Sequence, residues 1–306
     1  MATVGGQAVL EGVMMRGPGN WAVAVRTPSG TIAQVSKQID SAMSHHRVLR
    51  LPILRGVMAL GESLAIGFRA LAISANYAAQ EESADGEEPL EPDTELSRGA
   101  LIFAFVVAIG FAVALFKVTP GLITELLPIK SGVWFVIVEG AIRVTLFVSY
   151  LALISLLPDL RRVFQYHAAE HKAINAYEAG EELRPEIVQR YSLIHPRCGT
   201  AFLLWVMVLA VFVFAFFGRP HWYWLIAERI LLLPLIAGLA YELIRFAGKH
   251  QNRVVMTILA PGLWLQRLTT REPSLDQLEV SIRALREVLA LEERRAPDAA
   301  PIEVMA

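Results

Sequence analysis

Near the start of the chain, apolar and polar residues alternate with the two-residue period of a β-strand. Trp21, Val23 and Val25 fall on one side, the turn Pro28-Ser29-Gly30 follows, and residues 31–35 return, which predicts a small β-hairpin. The run before it, Gly5-Gly6-Gln7-Ala8-Val9-Leu10-Glu11-Gly12-Val13-Met14-Met15-Arg16-Gly17, can supply another strand with tight turns at its glycines. It lacks the G-x-x-x-x-G-K-[ST] spacing of a phosphate loop, so the glycines are read as structural. From residue 47 to about 75 the period becomes helical: Ile53, Val57, Leu60, Leu64, Phe68 and Leu71 recur, with Arg47, Arg50, Arg55 and Arg69 among them. Such a helix either lies in the headgroup plane of a membrane or packs on the protein's own body.

The pattern then breaks. Residues 80–95 hold Glu81, Glu82, Asp85, Glu87, Glu88, Glu91 and Asp93 with Pro89 and Pro92, the composition of a solvated, disordered linker. Beyond it the apolar residues become continuous. Segments 99 to about 118, 133 to about 157, 199–217 and 222 to about 246 each reach the roughly 20 residues that cross a bilayer core, which gives four spans. Pro234 is expected to kink the last of them, and Ala260-Pro261-Gly262 to break the apolar run that follows. Ser274 and Gln277 form a capping box that opens a helix to about Arg294, with Leu278, Ile282, Leu285 and Leu289 as its buried stripe. Residues from 296 onward read as a frayed tail.

Composition agrees with the spans. Of 306 residues, 55% are hydrophobic and only 19% charged, and the mean hydropathy of +0.46 is that of a membrane protein. A net charge of −1 offers no basic excess for nucleic acid. Cys198 is the single cysteine, so there is no internal disulfide framework, and the N-terminus lacks the pattern of a secretory signal. Basic residues concentrate before the first span, between the second and third, and after the fourth, whereas the short connectors carry only Lys117, Lys130 and Arg219. The positive-inside rule therefore puts both termini and the central loop in the cytoplasm.

The fold class expected is mainly α: a polytopic helical protein of the inner (cytoplasmic) membrane, with a cytoplasmic helical body and a small N-terminal β-hairpin region. Its parts are 1–79, cytoplasmic hairpin and amphipathic helix; 80–98, acidic linker; 99–157, spans one and two; 158–198, cytoplasmic loop; 199–247, spans three and four; and 248–306, cytoplasmic C-terminal helices and tail. Charges inside the spans pair within their own helices, Glu139 with Arg143 at i,i+4 and Glu242 with Arg245 at i,i+3, while Glu228 and Arg229 lie earlier on the fourth. Glu242 lies near the cytoplasmic end of its span, where it could approach the central loop.

That loop carries the candidate chemistry. His167-Ala168-Ala169-Glu170-His171 lies in an alanine-rich stretch, residues 165–179, free of Pro and Gly and ended by Gly180, a natural left-handed C-cap. On a helix, residues four apart stand one above the other, so both imidazoles can address one ion with Glu170 beside it. H-x-x-E-H is the inverted zinc-protease spacing, two ligands and a general base. A second cluster, His195-Pro196-Arg197-Cys198-Gly199-Thr200, precedes the third span. There Cys198 would sit at a helix N-terminus that lowers its thiol pKa, either as a ligand or, less favoured, as a nucleophile paired with His. Glu178, seven residues after His171, is a further candidate ligand.

These runs, with Tyr177-Glu178 and Thr269-Thr270-Arg271-Glu272-Pro273, resemble the bacterial YqhQ-like membrane proteins from Val4 to about Leu291. That family is catalogued as a domain of unknown function and labelled as predicted metal-dependent enzymes, so the resemblance implies a metal-dependent enzyme without naming a substrate. The expected function is a zinc hydrolase in which His167 and His171 bind the ion, Glu170 is the general base, and a third ligand comes from Glu178, His195, Cys198 or Glu242. The alternative is a non-enzymatic membrane assembly or lipid-handling protein, with His167, His171, His195 and Cys198 closing a structural zinc site. The partners expected are the lipid bilayer and no nucleic acid, with protein partners unassigned and homo-oligomerisation left open.

Overall fold

In a computed structural model the described residues are 3–79, 98–217, 222–250 and 252–294. The acidic linker and the C-terminal tail expected above lie outside them.

The N-terminal region forms more than a hairpin. β1 (Gly5–Val9), β2 (Gly12–Arg16), β3 (Asn20–Arg26) and β4 (Ile32–Gln38) make an antiparallel sheet in the order β1-β2-β3-β4. The glycine-rich run supplies a complete pair of strands because Leu10-Glu11 closes a two-residue turn, with Glu11 at φ 51 and Val9 facing Gly12. The pleat sends Val13, Met15, Ala22 and Ala24 to one face, and Met14, Trp21, Val23 and Val25 to the other. Both faces are covered, so the alternating pattern marks two buried surfaces rather than one wet and one dry.

A short helix, α1 (Ala42–His45), and a 3-10 turn lead into α2 (Leu54–Ala79). Then come α3 (Arg98–Val113), a π-helical turn (Ala114–Val118), α4 (Thr119–Glu125), α5 (Gly132–Ile154), α6 (Pro158–Glu178), α7 (Pro185–Val188), α8 (Gly199–Phe217), α9 (Trp222–Lys249), α10 (Arg253–Thr269) and α11 (Leu275–Arg294). The chain is mainly helical. Gly180 at φ 76 follows α6 as the sequence predicts, and the Ser274/Gln277 capping box forms with both reciprocal bonds, at 2.9 and 3.3 Å. Pro261, where the apolar run ends in the sequence, lies inside α10, which passes through it without interruption.

Among the described residues five helical segments, rather than four, are long and apolar enough to cross a membrane: Leu54–Ala78, Val106–Glu125, Gly132–Ile154, Gly199–Phe217 and Leu231–Gly248. The extra one is in α2, and its contacts explain its hydropathy. Its first half packs through Ala59 with Ala237, Ala240, Tyr241 and Ile244 of α9, while Ile66 and Ala70 in its second half cover the Trp21 face of the sheet. Two different apolar partners in succession read, by hydropathy alone, like one lipid-facing span. On the opposite face of the sheet lie α6 and α11, whose Ala169, Ala173, Ala176, Leu278 and Leu285 close a core with Val13 and Met15.

The expected in-span charge pairs are present with additional partners. Glu139 is bound by Arg143, with Lys117 at 3.8 Å. Glu242 lies 3.7 Å from Arg245, but its closer partner is Arg55 of α2, at 2.5 and 2.7 Å.

Leu285 is fully buried between α6 and the sheet. Leu285→Ala is expected to cost about 2–5 kcal/mol, the range for a core leucine, and to lower the thermal unfolding midpoint of the detergent-purified protein.

Candidate metal centre

The site is assembled on α6. Ala169, Ala173 and Ala176 turn toward α11 and the sheet, and their small side chains let those layers approach closely. The turn of helix between them is buried with its polar groups, and most of those groups find partners. Lys172 Nζ donates to the Gln189 carbonyl at 2.5 Å and pairs with Glu272 at 2.8 Å, and Ser281 Oγ of α11 donates to the Ala169 carbonyl.

The two imidazoles are oriented alike. His167 Nδ1 donates to the Thr269 carbonyl at 2.8 Å, and His171 Nδ1 donates to the Leu193 carbonyl at 2.5 Å. A carbonyl can only accept, so each Nδ1 carries a proton, and in a neutral ring with that proton the lone pair lies on Nε2. This is the outer-shell arrangement of metal-binding histidines. The ring centroids are 4.4 Å apart. Cys198, at the start of α8, places Sγ 3.3 Å from His167 Nε2 and 3.2 Å from Thr200 Oγ1. The ligand atoms of His167, His171 and Cys198 all lie within 4.8 Å of one another. Around tetrahedral zinc, with its usual bond lengths, a nitrogen and a sulfur ligand stand about 3.5 Å apart, so the donor set and spacing fit a divalent ion of that kind.

Glu170 is the unusual member. Its side chain is 2% exposed, Oε2 lies 4.0 Å from His171 Nε2, and Oε1 has no hydrogen-bond partner among the described residues. Burial raises the Glu170 pKa, against the opposing pull of His171 and His167. Burial would also raise the Cys198 thiol, but His167 and His171 hold it well below its usual range. Burial would lower His167, yet the adjacent sulfur raises it to about 9. A proton on His167 is one source of the positive charge that a thiolate here requires. A divalent cation would supply it with both rings neutral.

The remaining sequence candidates are engaged elsewhere. Glu178 is bound by Arg197 and faces His195 Nε2 at 3.5 Å. Burial alone would raise its carboxyl, but these two partners bring it down to about 2. His195 is buried, its ring centroid 5.9 Å from that of His171, and it stands outside the three-ligand group, with burial lowering its pKa. Glu242 does not approach α6: both its oxygens are taken by Arg55 and the Ile53 N–H. Three groups important to the site escaped the sequence reading. The Thr269 and Leu193 carbonyls are main-chain atoms with no side-chain signal. Gln266 bonds the backbone of His195 from both ends of its amide, at 2.9 and 2.8 Å, and reads in sequence as an ordinary polar position on α10.

Residues 51–291 match the family described as "Protein of unknown function (DUF1385)". The chain belongs to the DUF1385 family. It is 33% identical over 296 residues to the uncharacterized protein YqhQ of Bacillus subtilis (strain 168), covering 94% of this chain and 92% of that one. No solved structure matches the chain. Neither description mentions a metal or an activity, so for this DUF1385 member the chemistry is argued from the side chains alone.

With the protein loaded with zinc, His167→Ala and His171→Ala should each lose the ion, whereas Glu178→Ala and Glu242→Ala should retain it, as read by elemental analysis of the purified protein. Retention by both histidine variants would remove the metal centre.

Proposed function

We propose that this chain is a zinc-dependent hydrolase of the cytoplasmic membrane with its site on the cytoplasmic side. The observation that carries the reading is the buried Glu170 carboxyl, one oxygen unpartnered among the described residues, beside three possible ligands, His167, His171 and Cys198, with no fourth grouped with them among those residues. Structural zinc sites are full, and catalytic ones keep a place for water. His195 stands outside the group, which favours the catalytic reading over a closed four-ligand site.

A bound zinc would supply Lewis acidity, lowering the pKa of a water toward about 7. The chain's own residues do the rest. His167 and His171 hold their lone pairs in place through the Thr269 and Leu193 carbonyls, and Cys198 contributes thiolate charge. Glu170 takes the proton from water at its free oxygen and returns it to the leaving group.

The membrane reading is supported by the five apolar helices and by large exposed side chains such as Phe103, Phe111, Phe212 and Phe216 along them. Basic residues in the central loop support a cytoplasmic body. A cysteine placed at Gly180 in intact cells should then resist membrane-impermeant thiol labelling from outside, and strong labelling would invert the topology.

For the chemistry, Glu170→Gln should keep zinc and fold while lowering the hydrolysis of a chromogenic ester by at least about a hundredfold, because an amide cannot accept the proton of water. Full hydrolysis by the variant would end the general-base role.

A further inference from the structure

β1 is an edge strand, and its register fixes which of its groups are free. Val9 and Gly12 close the two-residue turn, so Val9, Gln7 and Gly5 exchange hydrogen bonds with β2. The N–H and C=O groups of Gly6 and Ala8 therefore point away from the sheet, and among the described residues nothing bonds them. Both residues are only partly buried. One step further along this edge, the Val4 carbonyl accepts a bond from Arg197, which ends the open stretch.

This open edge runs beside the metal centre. Glu11, just after β1, is bound by Arg162 and receives a 3.4 Å bond from Tyr166, so β1 lies antiparallel along α6. At the centre of that contact, a Cβ on Gly6 would lie 2.8 Å from Glu170 Cγ and 2.7 Å from the Met14 carbonyl, so only glycine lets the strand come this close to Glu170. At about 100° per residue, α6 presents Ala169 toward α11, then Tyr166 and Glu170 toward β1, and then His167, about 60° beyond Glu170. The site therefore lies past β1 on the side away from β2, along the unpaired edge.

We infer that the open edge of β1 at Gly6 and Ala8 binds an extended polypeptide as an added strand, presenting one of its peptide bonds to Glu170 and the metal centre. This names the substrate class of the hydrolase proposed above and rests on that reading. Main-chain pairing gives affinity with little dependence on sequence. In the reaction the peptide C–N bond breaks, the oxygen of water joins the carbonyl carbon, and the proton taken up by Glu170 passes to the departing amine.

The test uses full-length, zinc-loaded protein in phosphatidylcholine nanodiscs and fluorescein-labelled, reduced and carboxymethylated α-lactalbumin, a permanently unfolded chain. Binding is read by anisotropy on the Glu170→Gln protein, so that nothing is cut. Adding Ala8→Pro removes an outward N–H without touching the β2 ladder and should weaken binding by about tenfold or more, with zinc content and unfolding temperature unchanged. A Val9→Ala control, whose backbone pairs with β2, should bind as before. No binding beyond empty nanodiscs, or equal binding with and without Ala8→Pro, overturns the inference. The hydrolase reading is judged apart, on the ester hydrolysed by the wild-type protein: its survival in the Ala8→Pro single variant together with its loss in Glu170→Gln supports that reading whatever the peptide result. If Ala8→Pro fails to fold, Ala8 replaced by N-methylalanine through semisynthesis deletes the same donor and is held to the same outcomes.

Discussion

The closeness of α6 to the layers around it governs the rest of the body. Ala169, Ala173 and Ala176 present almost no side chain, so α11 and the sheet settle directly on the helix backbone. Larger residues there would hold the layers apart and let water reach the turn between them. With the alanines in place, Glu170, His171 and Lys172 are buried, each below 4% exposure. A buried polar group costs free energy unless it is partnered. The flanking loops are shaped by that demand: Leu193, Gln189 and Thr269 turn their carbonyls inward, and Glu272 reaches Lys172. The His167, His171 and Cys198 cluster is in this sense a by-product of tight packing that brings two imidazoles and one sulfur face to face.

The same logic operates in the apolar helices, where unpaired charge is costlier still. Glu139, 4% exposed, is neutralised by Arg143 on its own helix, and Arg143 Nε also donates to the Phe116 carbonyl within the π-helical turn. An i→i+5 turn leaves a carbonyl free to accept from outside, so the irregular backbone serves the ion pair. Glu242 ties the start of α2 to α9 through Arg55 and the Ile53 N–H, and holds Ile53 at φ 72, a strained value for a β-branched residue. This anchor sets where α2 leaves the helical bundle and hence where its second half meets the sheet.

How much of this could be read from the residues depended on the range of the interaction. Local signals were legible: the Gly180 cap, the Ser274/Gln277 capping box, the helix carrying His167 and His171, and the side of the strand shared by Trp21, Val23 and Val25. Signals that depend on a partner distant in sequence were not. Glu242 was expected to approach α6 because it sits near one end of α9, but the side chain that takes it, Arg55, is 187 residues away in sequence. Glu178 shares a helical face with His171, yet Arg197 captures it first. Ala260-Pro261-Gly262 interrupts the apolar run in the sequence without ending α10, because a helix tolerates proline when its neighbours accommodate the lost bond. The spare apolar segment in α2 was ambiguous for a related reason, since a hydropathy window does not distinguish lipid from the Trp21 face of a sheet.

The charge balance of the buried centre carries the argument one step further. Ionised together, Glu170 and Cys198 would bring two negative charges into a buried region. The nearest cationic side chains are already committed, Arg197 to Glu178 and the Val4 carbonyl, Lys172 to Glu272 and the Gln189 carbonyl. Neutrality must then come from protons on Glu170 and His167, or from a dication held by His167, His171 and Cys198. The two solutions exclude each other, because a proton on His167 Nε2 occupies the lone pair the ion needs. On the function proposed above, binding of a divalent ion would therefore be coupled to release of that proton.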